Sequence, residues 1–281
     1  MKLWDAKFCG LVVILLAGSI LPAQTPQEKA WSILKEGEQE KSPDKRSKAV
    51  RALGLVPHNP EAVSIAEKAL EDERPEVRTA AATALGLMAS QTSLAKLKSA
   101  LSDKEVSVVL AAAHSLLLLH DNDCYEVYYA ILTRQRKSTE GLVAQGEETL
   151  RNPKKMAGMG FEEAIGFVPY GGFAYTAFKE LRKDDVSPVR AAAAKALAKD
   201  PDPQSARALL QAASDKSWSV RAAALDAIAE RGDPALLKDI APAMSDEKDL
   251  VRYTAAAAVI RLSSIESTPA GSKKQVAGRP Q

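Results

Sequence analysis

An alanine-rich sequence motif that recurs at a fixed interval constrains the fold of this 281-residue chain more than any other feature. The clearest copies open with a Val-Arg pair and continue into a run of alanines that ends in Leu, Val or Ile. The last three arginines are 31 residues apart, and the full series of anchors is Arg46, Arg78, Val109, Arg190, Arg221 and Arg252. A fixed period of about 20 to 50 residues is typical of a repeat architecture.

A second marker keeps the same register as the anchors. An acidic residue stands six positions before each of them, which gives the series Glu40, Asp72, Asp103, Asp184, Asp215 and Asp246. Because two different markers move together along the chain, the period reflects a structural unit rather than an accident of an alanine-rich composition.

Each period predicts two antiparallel helices. Alanine has the highest helix propensity, so the anchor segments are predicted to be helical. A second apolar pattern with helical spacing precedes the anchors, as in residues 62–70 and 206–213. Pro75, Pro188 and Pro203 stand where a helix would begin, a position that tolerates proline well. One hairpin cannot bury its apolar face alone, so we expect the hairpins to stack.

The unit resembles the HEAT repeat, in the short bacterial form first described in phycobilin lyases. The matching elements of the motif are the Asp, the Val-Arg pair that follows it and the alanine run. The resemblance covers residues 40–135 and 184–262. The resemblance implies an all-α fold, an α-solenoid of stacked antiparallel helical hairpins with an inserted aromatic and Gly-rich segment.

The resemblance also implies that the acid and the arginine form a structural ladder between adjacent turns. That role is carried to Asp72, Arg78, Asp184, Arg190, Asp215, Arg221, Asp246 and Arg252. Val109 departs from the pattern, so we expect the ladder to be interrupted beside Asp103. The alternative is that these arginines bind anions.

Residues 1–25 indicate a secretory signal peptide. Lys2 and Lys7 flank its charged start, an apolar stretch runs over residues 11–21, and small residues surround Ala23. The apolar stretch is too short for an ordinary membrane span. We therefore expect a periplasmic or secreted protein, with an uncleaved anchor as the alternative. Cleavage would leave Cys124 as the single cysteine, which excludes an intramolecular disulfide.

The rest of the chain divides at a break in the period. Residues 26–135 are predicted to hold an N-terminal cap and the first repeats, 136–183 an insertion, and 184–262 the resumed array. Residues 263–281 lack apolar periodicity and are predicted to be a disordered tail.

The N-terminal cap is a predicted helix over residues 26–40. Its apolar side chains, Trp31, Ile33 and Leu34, would cover the open end of the first hairpin. The ends of a solenoid need such a cover because no further repeat buries them.

The insertion holds four of the five phenylalanines of the chain. Residues 158–178 combine aromatic side chains with Pro169 and several glycines, which predicts a broken helix or a helical hairpin. Insertions into repeats often lie on the binding face, and aromatic side chains anchor interfaces. Two interpretations stay open, a local core that fills the gap in the stack and a partner-binding surface formed by Phe161, Phe167, Tyr170, Phe173, Tyr175 and Phe178.

Candidate catalytic and metal-binding residues do not form a recognisable set. His114 and His120 are six residues apart, off the same helical face. Asp121 and Asp123 lack the further ligands of a calcium-binding loop. The net charge of +2 does not favour a nucleic-acid binder. We expect no enzyme activity, no metal, no cofactor and no nucleic acid.

The sequence favours a non-catalytic protein-interaction scaffold that acts outside the cytoplasm. It would bind a protein or peptide partner through the solenoid face and residues 158–178. The alternatives are an enzyme of the lyase or isomerase type built on HEAT-like repeats, and an adaptor associated with a membrane surface.

Overall fold

The computed structural model describes residues 24–125, 127 and 187–267. Within these ranges the chain forms helices and turns and contains no strand, which confirms the predicted all-α class. The signal peptide up to residue 23, the insertion over 136–183, Asp184 and the tail beyond residue 267 lie outside the described residues.

The described chain folds into helices joined by short turns. Before the gap they are α1 Pro26–Glu38, α2 Pro43–Ala52, α3 Pro60–Ala69, α4 Pro75–Leu87, α5 Leu94–Ala100 and α6 Val106–Leu118. After it they are α7 Ser187–Ala196, α8 Pro203–Ala212, α9 Trp218–Arg231, α10 Leu237–Ile240 and α11 Asp249–Glu266. Short 3₁₀ turns extend several of these helices, including Leu53–Leu55 after α2, Leu197–Lys199 after α7 and Ala241–Ser245 after α10.

Local sequence signals set where these helices begin. Pro75 and Pro203 occupy the first positions of α4 and α8, as predicted. At the start of α1, the Thr25 hydroxyl accepts the backbone N–H of Glu28 at 3.2 Å and the Glu28 carboxylate accepts that of Thr25 at 2.8 Å. This reciprocal pair is a capping box, and it satisfies two N–H groups that the helix itself leaves unpaired.

The helices pair as hairpins, each with a first helix and a second helix that contains the anchor. The pairs are α1 with α2, α3 with α4, α5 with α6, α8 with α9 and α10 with α11, while α7 is a second helix. The second helices pack against one another in two stacks, α2–α4–α6 and α7–α9–α11, and first helices of neighbouring hairpins contact each other far less. Neighbouring repeats therefore pack most closely through their second helices.

The two stacks join at the ends of the repeat region. The last helix, α11, packs against both α1 and α2, so the second helices follow the order α6–α4–α2–α11–α9–α7 in space. This differs from the expected cap. The α1 helix forms and buries Ala30 and Leu34, but the surface it covers belongs to the last repeat as well as to the first hairpin.

A glycine allows the close approach at this joint. A Cβ atom built on Gly37 in α1 would lie 2.6 Å from Cε1 of Tyr253 in α11 and 2.7 Å from Cβ of Ala49 in α2. Real side chains do not approach so closely, so residue 37 must lack one. Tyr253 is only 3% exposed, which places the joint within the main core of the protein.

The last helix is longer than the sequence pattern indicated. The array was expected to end at residue 262, whereas α11 continues to Glu266. Its last turn lies beside the end of α9, since a Cβ built on the left-handed Gly232 would be 3.3 Å from Cδ1 of Ile265.

Candidate functional site

The arginine anchors cross-link neighbouring repeats. Arg46 donates from Nε and Nη2 to the carboxylate of Asp72, both at 3.0 Å. Arg78 donates in the same way to Asp103, at 2.7 and 2.9 Å. After the gap Arg221 repeats the geometry with Asp246, again at 2.7 and 2.9 Å. Two parallel hydrogen bonds between charged groups form a strong and directional pair.

Each guanidinium also ties down the turn of its own repeat. Arg78 Nη1 donates to the carbonyl oxygens of Asp72 and Glu73, at 2.9 and 3.2 Å. Arg221 does the same with Asp215 and Lys216. The link within a repeat therefore uses a backbone carbonyl, while the carboxylate belongs to the next repeat.

The aspartates have a second task, which is to shape the turn before each second helix. Asp72 accepts the backbone N–H of Arg74 at 2.8 Å, and Asp103 accepts that of Glu105 at 2.9 Å. Burial alone would raise the pKa of Asp103, but the hydrogen bonds from Arg78 and from the Glu105 backbone outweigh it and hold that pKa below its usual range. The same causes lower the pKa of Asp72 and Asp246, with Arg46 and Arg221 as the partners.

The remaining predicted ladder residues show where the ladder stops. Arg190 pairs with Asp215, and Asp184, the acid that precedes Arg190 in the sequence, lies outside the described residues. The expected interruption beside Asp103 is wrong, because Asp103 receives its arginine from the preceding repeat, Arg78. Val109 is a buried valine, so the ladder does not continue from its own position. Arg252 donates to the carbonyl oxygen of Asp246 and pairs with Asp249 on its own helix.

The joint between the two stacks thus lacks the carboxylate cross-link. Glu40 holds the acid position of the repeat next to α11, and its carboxylate pairs with Lys45 at 3.1 Å. The Arg252–Asp249 pair on the other side is an i, i+3 contact within α11. At this joint Tyr253 packs on Gly37 instead.

The polar loop after α6 pairs its two aspartates with a lysine. Lys98 Nζ lies 2.9 Å from a carboxylate oxygen of Asp121 and 2.9 Å from one of Asp123, so one ammonium group bridges both carboxylates. Among the described residues no three His, Cys, Asp or Glu side chains lie together as a metal site would require. Burial raises the pKa of the Cys124 thiol and lowers that of His114, which disfavours a thiolate nucleophile at this position.

A row of equivalent side chains runs along the exposed face of the second helices. We call it the inner ridge, and it consists of the residues nine positions after each anchor. In spatial order from α6 to α7 these are Leu118, Leu87, Leu55, Arg261, Glu230 and Lys199. A parallel row four residues earlier consists of His114, Thr83, Arg51, Ala257, Asp226 and Lys195.

One half of the inner ridge is apolar and open to solvent. Leu87 is 52% exposed and Leu118 is 44% exposed, although the fold buries most other large apolar side chains of this region. After its first turn, α4 shows only Thr83 and Leu87 to solvent. Leu87 leans over Gly54, where a Cβ would lie 3.0 Å from its Cδ1. The leucines thus form a shallow surface that the described chain leaves uncovered.

The other half of the inner ridge is charged. Lys195 of α7 pairs with Asp226 of α9 at 3.4 Å, and Lys199, in the turn after α7, pairs with Glu230 of α9 at 3.3 Å. Arg261 of α11 lies between the two halves and donates to the carbonyl oxygen of Leu55 at 3.4 Å. Burial lowers the pKa of Arg261, and the nearby Glu230 and Asp226 oppose that effect only in part.

The sequence did not single out the inner ridge, although a signal for it was present. The ninth position after each anchor is Leu in three repeats before the gap and charged in three after it. The six aromatic residues that the sequence did single out, Phe161, Phe167, Tyr170, Phe173, Tyr175 and Phe178, lie outside the described residues. None of the helices in the described ranges has the length and apolarity needed to span a membrane.

Stacked hairpins with a repeated Asp–Arg cross-link define an α-solenoid repeat protein. The family model for HEAT repeats matches residues 32–117 and 176–263, more than half of the chain. The chain therefore belongs to the HEAT repeat family, as the sequence motifs indicated.

Solved structures with distant similarity include human deoxyhypusine hydroxylase in complex with glycerol, with 18% identity and a TM-score of 0.32 over 84% of this chain and 85% of that one. An engineered protein has 15% identity and a TM-score of 0.28, over 84% and 97% of the two chains. A designed armadillo repeat protein has 14% identity and a TM-score of 0.27, over 85% and 100%. The chain matches no curated protein. The family assignment rests on the match to the HEAT repeat model.

Proposed function

We propose that this protein is a non-catalytic interaction scaffold that acts outside the cytoplasm and binds a protein or peptide partner on the inner ridge. One observation carries the proposal. Leu87 and Leu118 stand at equivalent positions of successive repeats and remain about half exposed. Solenoids present extended surfaces of this kind to partners, and contiguous exposed apolar side chains mark interaction sites.

The proposal is tested by photo-crosslinking in the native cell. A photoreactive amino acid replaces Leu87 or Leu118 in the full chain, and the matched controls carry it at Ser64 of α3 or Ser99 of α5. Both serines are exposed on the first helices of the same two repeats. We expect one discrete partner adduct from the ridge positions and none from the controls. Equal adducts from both faces would contradict the proposal.

A charge-insertion pair separates binding from folding. The variant Leu87→Asp/Leu118→Asp should lose the partner, because a desolvated carboxylate on an apolar contact is costly. The control Ser64→Asp/Ser99→Asp adds the same charge to the outer helices and should keep it. Since all four positions are exposed, the free energy of unfolding of both variants should differ from that of the parent by less than about 0.5 kcal/mol per substitution.

Export is the second part of the proposal and rests on the pattern of residues 1–25. Cell fractionation of the full chain should place it in the periplasm or medium, with a shortened N-terminus by mass spectrometry. A chain retained in the cytoplasm with an intact N-terminus would contradict this part alone. The insertion over residues 158–178 stays a second candidate surface, and the same photoreactive substitution at Phe161, Tyr170 or Phe173 tests it.

A further inference from the structure

The inner ridge changes character at α11, and that change bears on what it can bind. Moving from α6 towards α7, the side chains turn from leucines to charged groups, with Arg261 at the boundary. The following inference rests on the proposed function and specifies the chemistry of the partner.

The lysines and the arginine of the charged half differ in their contacts. Asp226 and Glu230 each pair with a lysine of α7 or of the turn that follows it. Arg261 also feels these two carboxylates, but its guanidinium donates to the Leu55 carbonyl oxygen on the leucine side. The cation of Arg261 therefore lies directly beside the leucines.

Arg261 is placed to use a further acceptor. Its guanidinium has five N–H donors, and the Leu55 carbonyl oxygen accepts one of them at the long distance of 3.4 Å. The side chain is half-buried, and its burial disfavours the charged form more than the nearby carboxylates favour it. An incoming carboxylate would therefore find a poorly solvated cation and gain a charge-assisted hydrogen bond.

We infer that the inner ridge binds an extended peptide segment with apolar side chains against Leu118 and Leu87 and a carboxylate against Arg261. Adjacent helices lie about 8 to 10 Å apart, and an extended chain advances about 3.3 Å per residue. One step separates the two leucines. The Arg261 guanidinium reaches the Leu55 carbonyl oxygen after α2, so it lies about one further step from Leu87. The spacing fits two apolar residues about three positions apart, followed about three positions later by an acid.

The probe is a fluorescein-labelled ten-residue peptide on a Ser/Thr background, with leucines at its first and fourth positions and a glutamate at its seventh. The reversed sequence covers the opposite chain direction. Control peptides replace the glutamate by lysine or both leucines by serine. Fluorescence anisotropy with the full chain should show saturable binding for the parent peptide in one direction and binding about tenfold weaker or more for each control.

Variants of Arg261 assign the charge preference to this residue. Arg261→Gln should bind the glutamate and lysine peptides alike, and Arg261→Lys should retain most of the preference because it keeps the charge. Thermal melts by circular dichroism show whether each variant is folded. Lys238→Gln, an exposed cation on α10, is the matched control and should behave as the parent.

Four results would overturn the inference. The first is equal affinity for the glutamate and lysine peptides, and the second is a preference that survives in folded Arg261→Gln. The third is an absence of saturable peptide binding. Self-association of the chain that disappears in Leu87→Asp/Leu118→Asp would also overturn it, because the ridge would then bind a second copy. If ridge crosslinks to a partner persist in any of these cases, the scaffold proposal stands and only the peptide chemistry fails.

Discussion

Gly37 lies directly under the ring of Tyr253, so the first helix of the described chain and the last are packed on each other. The repeats therefore form one array in space whose order differs from their order along the chain. The C-terminal stack continues into the N-terminal one through α11, and α6 and α7 are the two ends of the described array. The joint falls in the middle of the array, at the one neighbouring pair without a carboxylate cross-link among the described repeats.

The joint predicts the outcome of filling the space at residue 37. Gly37→Ala should lower the free energy of unfolding by about 1 to 3 kcal/mol, because the added Cβ overlaps Tyr253 and Ala49. In an open helix the same substitution would stabilise by about 1 kcal/mol. In a Tyr253→Ala background the loss should shrink by about 0.5 kcal/mol or more. Urea denaturation of the four proteins of this cycle measures the coupling, and its absence would mean that α1 and α11 do not meet.

Breaking one rung of the ladder should destabilise the array. Arg78→Gln leaves the carboxylate of Asp103 and two turn carbonyls without their cationic donor, and the side chains concerned are only 9% and 13% exposed. We expect a loss of about 2 to 4 kcal/mol in urea denaturation. Arg74→Gln is the matched control, since its side chain is 54% exposed and pairs with Glu76, and it should change stability by less than about 0.5 kcal/mol. Similar losses in both variants would argue against the ladder.

The ladder also predicts how stability responds to acid. The folded-state pKa values of Asp72, Asp103 and Asp246 lie below their unfolded values. Their contribution is therefore fully present above about pH 4, the unfolded range for aspartate, and is lost as the pH falls through the lower folded values. The urea midpoint of the parent should drop between about pH 4 and pH 2. The urea midpoint of Asp103→Asn should be lower than that of the parent at pH 7 and should fall less between about pH 4 and pH 2. An equal fall in the two proteins would contradict this assignment.

Two second helices are followed by a residue in the left-handed region, and substitutions at these two positions should change stability in opposite directions. Ala89 ends α4 with a φ of 53°, and Gly232 ends α9 with a φ of 67°. Glycine adopts this region without the steric cost that a Cβ carries. Ala89→Gly should stabilise the protein by about 0.5 to 1 kcal/mol, and Gly232→Ala should destabilise it by about 1 kcal/mol or more. Thermal melts of both variants check the signs, and a loss in Ala89→Gly would show that its side chain has another role.

Much of the fold followed from local patterns. The alanine runs, the prolines at helix starts such as Pro75 and the fixed period gave the helices, their pairing and the HEAT repeat family. The ladder was anticipated as a link between adjacent turns, but the partner of each arginine was not. Arg78 reaches the carboxylate of Asp103 in the next repeat, and Asp72 offers it only a backbone carbonyl. Spacing along one repeat could not decide between these acceptors, because the carboxylate comes from the turn of the next repeat and only stacking brings it to Arg78.

The candidate site was less accessible to sequence reasoning. The sequence favoured the aromatic insertion as the binding surface, because aromatic side chains often anchor interfaces. Leu87 and Leu118 lie in helices, where leucine usually belongs to the core. Exposure is a property of the assembled stack, since it depends on which side of α4 and α6 the neighbouring helices leave open.

By itself the sequence determined the helical hairpin and its repetition, because helix propensity, capping and the 31-residue period act within a repeat or between chain neighbours. Only the tertiary structure decided that α11 joins α1 and α2, that the ladder breaks at this joint, and that leucines and Arg261 lie side by side on one ridge. Those outcomes depend on contacts between residues more than 200 positions apart, such as Arg261 with Leu55. No periodicity encodes such contacts, because they arise from the fit of whole surfaces.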